Sequence, residues 1–147
     1  MHRNGADPGL DDGMRGESGQ SIVLIALLLI GLLAFAGLAT DVGMLFARSS
    51  QFSAAVDAAT LAGVVDLGTG LGAAQQRAEE FLDANRWPVS RAITSTASES
   101  TSALGYPEFT YTVTYPVEPY FLVLLGFDAI PISHSATAAV YSRADMP

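Results

Sequence analysis

Few side chains in this sequence are of the types that do chemistry, and their spacing argues against most reactions. There are two histidines, His2 and His134, and no cysteine. Two residues so far apart have no metal-ligand spacing, and without thiols there are no Cys nucleophiles, thiolate sites or disulfides. Serines are plentiful, yet no G-x-S-x-G elbow presents one as a nucleophile. Gly68-Thr69-Gly70-Leu71-Gly72 fits neither the dinucleotide nor the Walker spacing and no Lys follows it, so it reads as a turn. Glu79, Glu80 and Asp83 stand among Arg77 and Arg86, with Arg77–Glu80 and Asp83–Arg86 at i, i+3, which makes them a solvated face and not a metal site. His134 lies on the apolar side of a strand with no acid or nucleophile near it in sequence, the pattern of a hydrogen-bonded structural histidine. No catalytic, cofactor or metal site emerges, and the expectation is a protein that is not an enzyme. The net charge of −8 excludes nucleic acid as a partner, because phosphate binding needs clustered Lys and Arg.

Asp41 and Asp57 are the charges that stand apart, and Asp41 does so because of what precedes it. No charged residue occurs between Glu17 and Asp41. Within that interval Ile22 to Ala39 is apolar throughout, long enough to cross roughly 30 Å of hydrocarbon as a helix. Twelve of its positions are Leu, Ile, Val or Phe, which favour insertion by roughly 4 to 7 kcal/mol in sum. The small-x-small triplet Ala34-Phe35-Ala36 has the form of a signal-peptidase site, but the preceding tail is long and acidic and no helix breaker marks it. Asp41 then either marks the water boundary of the span or pairs with a cation. Arg48 on the same helix is about 10 Å away along the axis, so such a pair would be made with Arg48 of a neighbouring copy.

These charges are carried by elements that the rest of the pattern predicts. Residues 1–20 read as a disordered cytoplasmic leader, with Ser18 or Ser21 able to cap the next helix. Residues 21–40 form the transmembrane helix, and residues 41–67 continue it outside the membrane as an amphipathic extension. Its apolar stripe is expected to hold Val42, Leu45, Phe46, Phe52, Val56, Ala59 and Gly63. Two small-residue ladders, Ala54-Ala58-Ala62 and Ala55-Ala59-Gly63, would let another backbone approach closely. Residues 68–147 make a small α+β head: a second helix over 73–86, then about three antiparallel strands. The strands are expected at 89–96, 108–117 and 129–141, with a Ser/Thr-rich loop at 97–105. Within 108–117, Phe109, Tyr111, Val113 and Tyr115 face one way and Thr110, Thr112 and Thr114 the other, and Pro116 and Pro119 end the strand. Residues 120–127, YFLVLLGF, are too few to span a bilayer; a short helix covering the sheet is favoured over a membrane-dipping or partner-binding loop.

Residues 15–63 resemble the N-terminal region of TadE/TadG-like proteins of the tight-adherence (Flp) pilus machinery. The resemblance is carried by Arg15-Gly16-Glu17, Gly19-Gln20, the apolar helix, Asp41-Val42-Gly43, Gln51, Asp57-Ala58-Ala59 and Leu61-Ala62, with EFLDAN and ISHSATAAVY similar further on. It implies a single-pass, pilin-like protein of the bacterial cytoplasmic membrane, its N-terminus cytoplasmic and its head outside, associated with pilus assembly or surface adhesion. Its partners would be the lipid bilayer, other pilus-assembly or pilin-like membrane proteins, and further copies of itself. Assembly contacts would fall on Asp41, Gly43, Arg48, Ala54, Ala55, Asp57, Ala58, Ala59, Ala62 and Gly63. Some relatives are cut after a Gly at the cytoplasmic edge by a prepilin peptidase, which makes Gly16-Glu17 and Gly19-Gln20 the candidate junctions. The apolar run has no Glu, where the usual pilin arrangement has one. An envelope-anchored binding module or adhesin that enters no filament is the alternative reading.

Overall fold

The computed structural model describes residues 14–141, with side chains from residue 19 onward. Most of the expected leader therefore lies outside the described residues. Five elements follow in order: α1 (Met14–Val65), α2 (Leu71–Ala84), β1 (Thr94–Thr101), β2 (Pro107–Val117) and β3 (Ile130–Ala139). The chain divides between Ala39 and Thr40 into an N-terminal helical unit and a head.

α1 begins seven residues before the expected Ser21. No proline occurs between Pro8 and Trp87, so nothing in the backbone interrupts helical hydrogen bonding there. Ser18 and Ser21 are thus inside α1 and do not cap it. In the N-terminal unit every side chain from Ser21 to Ala36 is exposed, and the large ones are all aliphatic or aromatic. An apolar helix with no covered face is stable in hydrocarbon, not in water. Among the described residues, α1 is the one helix long and apolar enough to cross a membrane.

In the head, the helices lie on one face of an antiparallel sheet of order β1-β2-β3. β2 is central, and its alternation works as expected: Phe109, Tyr111, Val113, Tyr115 and Val117 are buried. They pack against Phe52, Val56 and Ala59 of α1, Ala74, Ala78 and Leu82 of α2, Trp87 and Ile132. Each large side chain so buried contributes about 1.5–3 kcal/mol. Trp87 is the hub of an aromatic group, with ring centres 5.0 Å from Phe52 and 5.0 Å, edge-on, from Tyr115. The buried Tyr111 hydroxyl meets Ser95 Oγ at 2.9 Å. Burial pushes its titration up, the Ser95 bond pulls the other way, and Glu79 and Asp83 add to the rise. On the opposite face, Thr110, Thr112 and Thr114 form hydroxyl pairs with Thr137, Ser135 and Ser133 at 2.7, 2.7 and 3.1 Å. That face is made for water.

Four expectations need correction. The first strand is Thr94–Thr101, so most of the expected 97–105 loop is strand, and Val89–Arg91 is a 3-10 turn. An edge strand needs only one covered face, and β1 meets that with Ser95 and Ala97 half-buried; backbone pairing to β2, Thr94↔Thr114 through Thr101↔Pro107, does the rest. Pro116 does not end β2. Thr114 turns its carbonyl toward Ile93, so Pro116, two residues on, points its missing N–H to the same side, past the end of β1. Val42 and Phe46 are not on the core stripe but exposed, the latter by 76%. The 100° step per residue turns them away from Phe52 and Val56. Lastly, 120–127 does not cover the sheet: its 3-10 turn, Leu122–Leu125, buries no residue, and Leu124 is 82% exposed.

The closest approach in the core is at Gly63. A Cβ there would stand 2.6 Å from the Ala74 carbonyl oxygen and 2.8 Å from a ring carbon of Phe109. Gly63→Ala is expected to destabilise the head by about 1–3 kcal/mol, read as a lowered melting temperature in detergent. Gly43→Ala, with nothing within 4 Å, should leave it unchanged.

Candidate functional site: a carboxylate clasp and an outward helix face

Asp41 is the first charge after the apolar run, and its side chain is 1% exposed. A carboxylate so covered must find hydrogen-bond donors. It finds them in the backbone of the segment after β2: Oδ1 accepts from the Tyr120 N–H at 2.8 Å, and Oδ2 from Phe121 at 2.8 Å and Leu122 at 2.6 Å. Three successive N–H groups opening a 3-10 turn form a concave nest for an anion. Burial works against the charge, but the N–H groups of Leu122, Tyr120 and Phe121 outweigh it and hold the carboxyl below the usual carboxylate range. Pro119 is buried just before the nest, and Gly126 closes the turn in the left-handed conformation at φ 91°. Within the chain, Asp41 is therefore more than a boundary marker: its partners are backbone N–H groups.

The other expected contact residues separate by helix face. Ala55, Ala59 and Gly63 are buried in the head's own core, so that ladder serves α1–α2 and α1–sheet packing within the chain. Ala54 is exposed, and Ala58 and Ala62 are half-buried. Gly43 is exposed with open space around it. Leu61 and Val65 are exposed on the same side as Ala54 and Ala58. Asp57 Oδ1 is 2.9 Å from His134 Nε2, which joins α1 to β3 and supplies the partner expected of His134. Arg48 borders a cavity of about 300 Å³ together with Arg86 and Arg91. Gly16, Glu17, Gly19 and Gln20 all lie within α1.

The acids on and around α2 are engaged in structure. Arg77 bonds Asp66 at 3.1 Å and Glu80 at 3.6 Å. The expected Asp83–Arg86 pair is replaced, because Asp83 Oδ1 accepts the Val89 N–H at 2.7 Å and fastens the chain after Trp87. Glu79 accepts from Gln75 at 2.8 Å and from Ser95 at 3.3 Å. Among the described residues no group of three or more His, Asp or Glu is placed to hold a metal ion. The Tyr120–Leu122 nest escaped the sequence reading because backbone N–H groups leave no residue signature. The one available signal was an apolar octet set directly behind Pro119.

Residues 19–76 match the family model described as Tad, putative Flp pilus-assembly TadE/G-like. Over those residues the chain is similar to TadE/G-like proteins. The match takes in α1 from Gly19, the Gly-rich turn and the first part of α2, and thus the apolar run, Asp41 and both ladders; the sheet lies beyond it. No curated protein and no solved structure gives a significant match.

Two outcomes test the clasp. Asp41→Asn removes the charge and one acceptor, so amide exchange at Tyr120–Leu122 should quicken by about an order of magnitude or more while α1 exchange is unaltered. Because the carboxyl titrates below its unfolded value of about 3.9, the stability it lends is present above that pH and is lost as pH falls through the lower folded value. The same amides should therefore stay protected at pH 5 and lose protection only in stronger acid.

Proposed function

We propose that this protein is a single-pass, membrane-anchored, pilin-like component of Flp pilus assembly that works by helix packing. Residues 21–40 span the cytoplasmic membrane, residues 41–67 extend α1 outside it, residues 68–147 form the displayed head, and the leader stays in the cytoplasm. The observation that carries this reading is the division of labour around the extension of α1. One face is consumed by the head, while Gly43, Ala54, Ala58, Leu61 and Val65 remain as a small and apolar strip facing away. Small residues at such spacing admit a second helix at short range. The strip continues an apolar run that already faces lipid, so a partner helix in the membrane can follow it outward. The role is mechanical: the apolar half anchors, the outward strip docks, and the acidic head is presented.

Ala58→Trp or Ala54→Trp should block co-purification with the other pilus-assembly membrane proteins while leaving insertion and head stability intact, since neither side chain is in the core. Ala59→Trp should instead unfold the head, which is full at that point. Normal pilus assembly with both outward variants would favour an anchored binding module outside the filament. Mass spectrometry of the membrane-extracted chain locates its N-terminus; a start at Glu17 or Gln20 is expected if the protein matures as pilins do.

A further inference from the structure

The cavity of about 300 Å³ beside the clasp is bordered by Arg48, Arg86 and Arg91, drawn from α1, the end of α2 and the turn after Trp87. The whole chain has seven basic residues against fifteen acidic ones, so three of the seven meeting at one cavity is a strong local reversal of sign. The acid at the rim, Glu118, is held by Arg91 at 3.3 Å, and among the described residues neither Arg48 nor Arg86 has an anionic partner.

Arg86 carries a second mark. It is the one described non-glycine residue with positive φ, at 69°, in the position after α2 where Gly or Asn is the unstrained choice. That left-handed residue closes α2, the Trp87 N–H bonding the Leu82 carbonyl at 3.0 Å, and it sets Arg86 at the rim of the cavity at a position where glycine would be unstrained. The volume suits a small polar headgroup.

The position of the cavity selects the ligand. Tyr120 lines it and also donates its N–H to Asp41, so the cavity adjoins the clasp. Met44 and Arg48 line it from α1, three and seven residues beyond Asp41, or roughly 5 and 10 Å along the helix. The polar layer of a bilayer leaflet is roughly 5–8 Å deep. With Asp41 at the edge of the hydrocarbon, Met44 falls within that layer and Arg48 just beyond it, and a helical side chain leans toward its helix's N-terminus, which carries the Arg48 guanidinium back toward the lipid phosphates. The exposed Phe121, Val123, Leu124, Leu125 and Phe127, hung from Asp41 by the clasp, fall at the acyl boundary, where apolar side chains bind the interface.

We infer that the cavity bordered by Arg48, Arg86 and Arg91 binds the phosphate headgroup of an anionic phospholipid, with the 120–127 loop seated beside it in the membrane interface. This rests on the proposed span ending at Asp41 and is independent of any role in pilus assembly. The ligand is a lipid phosphate, and a free anion is the alternative that the experiment separates.

Trp87, the sole tryptophan of the chain, borders the cavity and reports on it. The full chain is reconstituted in nanodiscs of phosphatidylcholine with increasing phosphatidylglycerol. Trp87 emission is expected to change saturably with phosphatidylglycerol, and native mass spectrometry to show phosphatidylglycerol retained in preference to phosphatidylcholine. Arg48→Gln and Arg86→Gly should each weaken the preference by about fivefold. Glycine relieves the left-handed strain at 86, so Arg86→Gly keeps or raises the melting temperature, and its loss of lipid preference cannot come from unfolding. Unchanged preference in both variants overturns the inference while the anchor stands. Inorganic phosphate at millimolar concentration that reproduces the Trp87 change in pure phosphatidylcholine, or displaces phosphatidylglycerol, assigns the cavity to a soluble anion and overturns the lipid. Failure of the intact chain to enter nanodiscs overturns the anchor and this inference together.

Discussion

A carboxylate that is almost wholly covered, at the end of a long uncharged run within α1, has to be met by donors, and here they come from the backbone nearly eighty residues away. The bonds from Asp41 to Tyr120, Phe121 and Leu122 join the start of the head to the segment between its second and third strands. Without them, 120–127 would be an apolar octet with no buried side chain and no fixed place. With them, its side chains are presented outward at one level of α1. The packing of α1 against the head begins at the same level, and the TadE/G-like match runs across it.

α1 therefore serves several surroundings in succession. From Ile22 to Phe35 it is exposed on every side and apolar, a surface suited to lipid tails. From Phe52 onward one side is filled by α2 and β2, with Gly63 permitting an approach that any larger residue would prevent. The other side keeps a small and apolar surface that the head leaves free. Small residues thus do opposite jobs on the two faces. Ala55, Ala59 and Gly63 bring the head's own elements close, whereas Ala54 and Ala58 face away from it.

The head is held by ordinary means, but its polar parts are arranged with care. The sheet puts aromatic and branched side chains on the helix side and a ladder of paired hydroxyls on the other. Asp57–His134 fastens β3 to α1, and Asp83 fastens the chain after Trp87, so isolated charges on the helices act as ties between elements. The basic residues follow a different logic. Arg77 is engaged by Asp66 and Glu80, while Arg48 and Arg86 are left facing a shared cavity.

What the residues alone determined was whatever depends on periodicity and composition. Ile22–Ala39 is a helix long and apolar enough to cross a membrane because nothing in it is polar, and Phe109–Tyr115 is a half-covered strand because its residues alternate. The missing proline before Trp87 lets α1 run unbroken from the apolar stretch into the head, and the TadE/G-like pattern was readable along it. Tertiary structure decided what depends on partners distant in the chain. A Ser/Thr segment became β1 because β2 offered it a ladder, and Pro116 stayed in strand because its neighbour ended in time. Val42 and Phe46 turned outward because the head covers only one arc of α1. Asp41 could not reveal its partners, since three backbone N–H groups look the same in every sequence; only folding brings them to the carboxylate.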